Sequence, residues 1–324
     1  MLSRYQLERF ENDGFLCIED VLPAAERAPI EAEYAALVAR VAHERGRSDA
    51  EWETFDFERR VARLIGEDPD AYEWLDITLP LRAGLRHDAG FHAGPAVFEL
   101  LRHPALLGIV EAVIGPEIYS NPVQHVRIKP PESELGAAAL GNSNIARTLW
   151  HQDAAVVLEE ADATPMLTVW VAMSDATIER GCMRAIRGSH RWSALGPHCP
   201  GKTGLGEIFI PPSLAEAHER VPLEVRAGGV VLLHRKTWHG AGPNLSDALR
   251  WSFDLRYQPP GLPTGRDCFP GFLARSAARP EAVLGDARLW RDSWRQAREA
   301  IACGRREPRF NERWERLRDD SLCA

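Results

Sequence analysis

Residues 249–257, LRWSFDLRY, constrain the fold more than any other stretch of this chain, because apolar and polar side chains alternate along them without a break. In an extended backbone neighbouring side chains point to opposite faces. Leu249, Trp251, Phe253, Leu255 and Tyr257 therefore share one face, and Arg250, Ser252, Asp254 and Arg256 share the other. Such a strand needs a sheet to sit in, and more strands are readable. Residues 123–129 alternate up to a stop at Pro130-Pro131, and residues 166–173, 222–226 and 230–234 are further short runs. Gly228-Gly229 and the stretch 240–244 (GAGPN) supply the turns.

Before residue 118 the period is helical. Residues 2–12 read as a short helix ended by Gly14, residues 15–22 as a strand, and residues 24–45 as a helix with Ile30, Tyr34, Leu37, Val38 and Val41 on one face. Helices are expected within the mixed segment 46–95 and over 97–114, the latter interrupted at Pro104 and stopped by Gly115-Pro116. Residues 287–301 carry a stripe of Trp290, Trp294, Ala297 and Ile301. Helices, then strands, then helices predict a mainly β sandwich or jelly roll braced by N- and C-terminal helices. One domain suffices for 324 residues, with a core over about 9–260 and a helical extension over about 276–324. The small and polar residues 132–147 read as a lid, mobile until a substrate orders it.

Charge and cysteine usage narrow the partners. With 39 Lys+Arg against 47 Asp+Glu the net charge is −8, which argues against nucleic acid, since phosphate binding needs a basic face. The six cysteines (17, 182, 199, 268, 303 and 323) lack the paired spacing of a zinc site or a secreted disulfide framework. Reduced thiols and a cytoplasmic location are the expectation. No signal peptide or membrane span is visible, so a small-molecule substrate is the expected partner.

The chemistry centres on Trp150-His151-Gln152-Asp153. In an extended segment His151 and Asp153 point the same way and can reach one ion. His239, within residues 236–240 (KTWHG), is the candidate for a third ligand from a distant strand. Two histidines and a carboxylate on one face of an octahedron leave positions open, an arrangement suited to Fe(II) oxygenases that bind 2-oxoglutarate and O2. His-x-Asp alone is a weak signal. Arg250 strengthens it: eleven residues past His239, with Ser252 beyond, it fits a two-pronged grip on the far carboxylate of 2-oxoglutarate. Arg256, further along the same face, is expected to matter far less. A catalytically idle binding or sensing protein and a zinc hydrolase on the same ligands stay open as rival readings, although the hydrolase leaves Arg250 without a role.

With these motifs in this order, the chain resembles the phytanoyl-CoA dioxygenase family, relatives of the ectoine hydroxylases, from about residue 9 to residue 260. The likeness is carried by residues 9–22 (RFENDGFLCIEDVL), 128–131 (IKPP), 150–153 (WHQD), 168–173 (TVWVAM), 181–183 (GCM), 188–190 (GSH) and 232–244 around His239. It implies a double-stranded β-helix (cupin-like jelly roll) with outer helices, and Fe(II) on His151, Asp153 and His239. It further implies 2-oxoglutarate on Arg250 with Ser252 beside it, Trp170 as the aromatic next to the cosubstrate, and His125 as a polar strand residue near it. The implied reaction consumes O2 and 2-oxoglutarate, releases succinate and CO2, and hydroxylates a small molecule, with desaturation or cyclisation as variants. Three positions depart from the family pattern: Ala241 where many members carry Ser, Gly229 for a turn Asp, and Arg187 for the Pro before Gly-Ser-His. By default Trp290, Trp294 and Trp314 read as packing, His234 as a core histidine and His190 as a surface one.

Overall fold

The computed structural model describes residues 2–81, 84–201, 207–309 and 312–323. Among the described residues the strands in chain order are β1 (Phe15–Ile18), β2 (Ile118–Ser120), β3 (His125–Lys129), β4 (Thr148–His151), β5 (Leu167–Ala172), β6 (Met183–Ala185) and β7 (Cys199–Pro200). They continue with β8 (Ile208–Phe209), β9 (Val221–Leu223), β10 (Val230–His234), β11 (His239–Ala241), β12 (Arg250–Gln258) and β13 (Phe272–Arg275). The main sheet runs β1-β10-β5-β12-β2-β13, with β3 also paired to β12 and all pairs antiparallel. The second sheet runs β4-β11-β6-β9, and β7 with β8 forms a separate ribbon. Trp170, Val231 and Leu233 of the main sheet pack with Met183, Ala185 and Leu223 of the second, so the two sheets face each other as a jelly roll.

All nine residues of β12 are buried, which the alternation alone does not require. Its apolar face meets the helical layer: Tyr34, on the helix Ala24–Glu44, has its ring 5.0 Å from Trp251 and 5.7 Å from Phe253. The helix Ala287–Ala302 docks the expected stripe of Trp290, Trp294, Ala297 and Ile301, with Trp290 5.6 Å from Phe98 and Trp294 5.3 Å from Phe269. Each large apolar side chain so buried contributes roughly 1.5–3 kcal/mol. With helices covering one face of the main sheet, the polar face of β12 is shut between the two sheets. Polar groups there cannot be solvated like a surface, so they must find partners or a ligand.

The structure departs from expectation in three places. β1 stops at Ile18 because the chain turns at Asp20, in the left-handed region at φ 58°, and carries the Val21 and Leu22 amides onto Gly228 O. Residues 132–147 are not an unpacked lid. Leu135, Ala139, Ile145 and Ala146 are buried in the main core, and Asn144 Oδ1 accepts from Arg127 at 2.5 Å. Third, Cys199 and Cys323 are joined in a disulfide, correcting the expectation of reduced thiols for these two, while Cys17, Cys182, Cys268 and Cys303 are free. No described helix is long and apolar enough to cross a membrane.

Candidate active site

His151 ends β4 and His239 begins β11, and the two are direct cross-strand partners with ring centroids 4.3 Å apart. Asp153 lies beyond the strand: Gln152 is extended, and Asp153 opens the one-turn helix Asp153–Val156. The expected convergence is reached through this turn rather than along one continuous strand. The three ligand atoms lie within 4.8 Å of one another, and all three residues are buried. Asp153 Oδ1 is 3.8 Å from His151 Nε2 and 3.9 Å from His239 Nε2.

Each histidine is oriented by its own strand. His151 Nδ1–H donates to Leu149 O at 2.8 Å and His239 Nδ1–H to Thr237 O at 3.0 Å, which leaves both Nε2 lone pairs aimed at the shared point. Thr237 is fixed in turn by its hydroxyl, which donates to Gly14 O at 2.7 Å. Gly14 has φ 83°, and a Cβ there would sit 2.3 Å from His190 Nδ1, so only glycine fits. Burial, then the charge of His239, pushes His151 down to about 3, keeping its imidazole neutral and able to bind metal. Burial would raise the Asp153 carboxyl, but Arg256 and the two histidines hold it below the usual carboxylate range. Its Oδ1 accepts from Arg256 at 2.5 Å and its Oδ2 from the Thr168 hydroxyl at 2.5 Å. Two imidazole nitrogens and one carboxylate form a donor set that fits Fe(II).

A cleft with about 320 Å³ of free space, part of it open to solvent, runs from His151 and His239 to Arg250. Arg250 is 1% exposed. Its guanidinium donates to Ser252 Oγ at 3.0 Å and lies 5.5 Å from the Trp170 ring, while Nε and the second terminal nitrogen have no protein partner. Burial, then Arg127, lowers Arg250 to about 9. Lys129 Nζ, fully buried, donates to Thr148 Oγ1 at 3.0 Å, and burial followed by Arg250 and Arg127 pushes it well below its ordinary value. Arg127 also lines the cleft, with Asp254 3.4 Å away. Arg250 and Arg127 thus bring two cations to one end of the cleft, with Lys129 behind Thr148. A buried charge without a counter-ion is costly, so this end is built for an anionic guest.

Of the residues expected from the sequence, His151, His239, Arg250 and Trp170 line one cleft, and Asp153 lies behind the two histidines within reach of their ligand atoms. Ser252 holds Arg250 and is not part of the lining. His125, expected near the cosubstrate, is outside the lining too, and its Nδ1 meets Asp76 Oδ2 at 2.8 Å. Ala241, the departure from Ser, does line the cleft. Arg256, expected to matter far less than Arg250, bonds Asp153 instead of facing the cosubstrate end. Lys129, Arg127 and Thr168 were also passed over, although Arg127 and Lys129 sit on the same alternating face of β3 as His125.

The sequence model of the phytanoyl-CoA dioxygenase (PhyH) family matches residues 10–252. The mouse phytanoyl-CoA dioxygenase domain-containing protein 1 is 37% identical over 108 residues, covering 32% of this chain and 37% of that protein. The human peroxisomal phytanoyl-CoA dioxygenase is 23% identical over 263 residues, 79% of this chain and 68% of the human one. The match to the mouse protein thus spans little more than a third of its length. Among solved structures, the apo non-haem monooxygenase ThoJ superposes with a TM-score of 0.55 at 23% identity, covering 93% of this chain and all of the other. The epimerase SnoN, in a complex with Fe3+, α-ketoglutarate and nogalamycin RO, gives 0.51 at 22% identity, covering 81% and 86%. These two likenesses establish the shared fold. With the family model matched over three quarters of its length, the chain belongs to the phytanoyl-CoA dioxygenase (PhyH) family.

Proposed function

We propose that this protein is an Fe(II)- and 2-oxoglutarate-dependent dioxygenase that hydroxylates a small molecule and releases succinate and CO2. The observation that carries the reading is one cleft lined by the two histidines of a His–Asp–His donor set and by a buried, half-unpartnered Arg250. His151, Asp153 and His239 would hold the metal. Bound there, iron would supply the O2 activation and oxidative decarboxylation that side chains cannot perform. The chain's own residues do the rest. Arg250, held by Ser252 and flanked by Trp170, grips the far carboxylate with its free nitrogens. Arg127 adds positive potential at that end. Met183, Leu233 and Trp170 give the cleft apolar walls that limit water. Leu149 and Thr237 carbonyls hold the Nδ1 protons, and Arg256 with Thr168 keeps Asp153 ionised and aimed.

The intact Asp153 favours hydroxylation over reactions in which a halide takes its place on the metal, and desaturation or cyclisation can use the same site. An idle binding protein needs no such ordered donor set, and a zinc hydrolase gives the cation cluster no task. We read the compartment as cytoplasmic, where the Cys199–Cys323 disulfide would be a redox-responsive bond and the other four thiols stay reduced. The test is succinate formation from 2-oxoglutarate by anaerobically iron-loaded protein on admission of O2, across a panel of candidate substrates. Stimulation by one panel member supports the reading. No turnover, with or without the panel, returns the idle binder, and zinc-dependent hydrolysis returns the hydrolase.

A further inference from the structure

Residues 312–323, beyond the stretch matched by the family, return to the back of the turn that carries Asp153. Trp314 Nε1–H donates to Ala155 O at 2.9 Å. Arg313 donates to Ala154 O at 2.7 Å and to Val157 O at 3.2 Å, and pairs with Asp162 at 2.7 Å. A one-turn helix cannot satisfy most of its carbonyls internally, so Asp153–Val156 depends on donors from outside. The buried Trp314 ring also stacks on His198, centroids 4.7 Å apart, and His198 Nε2 accepts the Gln152 amide at 3.1 Å. Asp153 is therefore supported on both sides, through Gln152 and through Ala154–Ala155, by groups resting on one indole. Next to His198 stands Cys199, bonded to Cys323 across 124 residues of chain.

We propose that Arg313 and Trp314 are positioning residues for Asp153, and that the Cys199–Cys323 disulfide is a latch making metal affinity depend on thiol–disulfide state. The proposal rests on reading the triad as a metal site. Unlatching is a two-electron reduction: a dithiol breaks the S–S bond through a mixed disulfide, Cys199 and Cys323 become thiols, and the dithiol closes into its own disulfide. Cys199 is fully buried and Cys323 half-buried, so a small thiol would approach from the Cys323 side. Once freed, the segment keeps its hydrogen bonds only against the entropy of an untethered strand of residues, so the Asp153 turn loosens.

The experiment is a Co(II) titration of the air-purified full chain, read by the metal's visible absorption, with the disulfide verified by non-reducing peptide mapping. It is repeated after dithiothreitol treatment and anaerobic removal of the reagent. Reduction should weaken Co(II) binding about tenfold, the scale of losing support behind a ligand. Cys323→Ser should match the reduced wild type and not respond to dithiol. In the oxidised state Trp314→Ala should weaken Co(II) binding to a similar degree. Trp314→Phe, which keeps the ring on His198 but not the N–H, should recover part of it, a rescue that a general packing role does not require. If Trp314→Ala fails to fold, the Cys323→Ser comparison decides. Equal Co(II) affinity in oxidised, reduced and Cys323→Ser protein, or absence of the Cys199–Cys323 peptide, overturns the latch. No Co(II) binding in any state overturns the metal reading beneath it.

Discussion

The three candidate ligands are held in two different ways. His151 and His239 take their aim from carbonyls two residues back on their own strands, contacts that form as soon as β4 and β11 pair. Asp153 sits outside any strand and takes its aim from elsewhere: Thr168 at a separation of 15 residues, Arg256 at 103, and the backing segment at about 159. The histidine half is specified locally and should tolerate change elsewhere. The carboxylate half is specified by tertiary structure, so it is where distant substitutions can reach the metal.

The largest effects test whether the halves act as one centre. His151→Ala, His239→Ala and Asp153→Gly should each reduce Fe(II) affinity beyond the 10–100-fold that loss of a supporting residue costs, with the fold retained by circular dichroism. Near-normal metal binding in any of the three would remove that residue from the centre. Next in size is the cosubstrate end. Arg250→Ala leaves a buried carboxylate of 2-oxoglutarate unpaired, at about 3–5 kcal/mol, so the apparent requirement for 2-oxoglutarate should rise roughly two to three orders of magnitude while Fe(II) affinity holds. Arg250→Lys should recover only part, because an ammonium cannot reproduce the fork. An unchanged 2-oxoglutarate dependence would dismiss Arg250 as the anchor.

Smaller, and aimed at the difference itself, is Arg256→Gln. It removes the charge that keeps Asp153 ionised and aimed, and should weaken Fe(II) binding about 10–100-fold, with Thr168→Val nearer the lower end. With saturating iron the 2-oxoglutarate requirement should stay near wild type, the reverse of Arg250→Ala. A 2-oxoglutarate defect from Arg256→Gln at saturating iron would mean that the two ends of β12 do not divide the work.

What the sequence made legible follows the same division. The β12 alternation, the helical stripes through Tyr34 and Trp290, and the His-x-Asp pair are patterns within a few residues, and period or spacing exposes them. β4, β6 and β11 are three or four residues long, too short to show a period, so the strands carrying the histidines were found by the motif alone. Arg256 was read as a distant neighbour of Arg250. Its value depends on where Asp153 lies after folding, which no local window contains. The same holds for Trp314, read as packing, and for Cys199 and Cys323, whose separation of 124 residues carries no pairing signal. His125 shows the same limit on one strand. Its face of the strand was right, but Asp76, arriving from the segment 46–95, claims its ring.

The smallest expected effect concerns Ser252, and it separates two roles that the resemblance leaves together. Ser252 Oγ accepts from Arg250 at 3.0 Å and is fully buried, and it does not line the cleft. If it acts only by steadying Arg250, Ser252→Ala removes one hydrogen bond to a charged group whose other nitrogens still face the guest and whose plane still lies over Trp170. Such a bond is worth about 1.5–3 kcal/mol at most, and less here because the bound carboxylate itself restrains the guanidinium. The 2-oxoglutarate requirement should then rise about fivefold, roughly 1 kcal/mol, with Fe(II) affinity unchanged. The double variant with Arg250→Ala should be no worse than Arg250→Ala alone, since a residue that works through Arg250 has nothing left to steady. A further loss in the double variant would show that Ser252 touches the cosubstrate itself, and the cosubstrate end would then have two independent anchors on β12 instead of one anchor and its support.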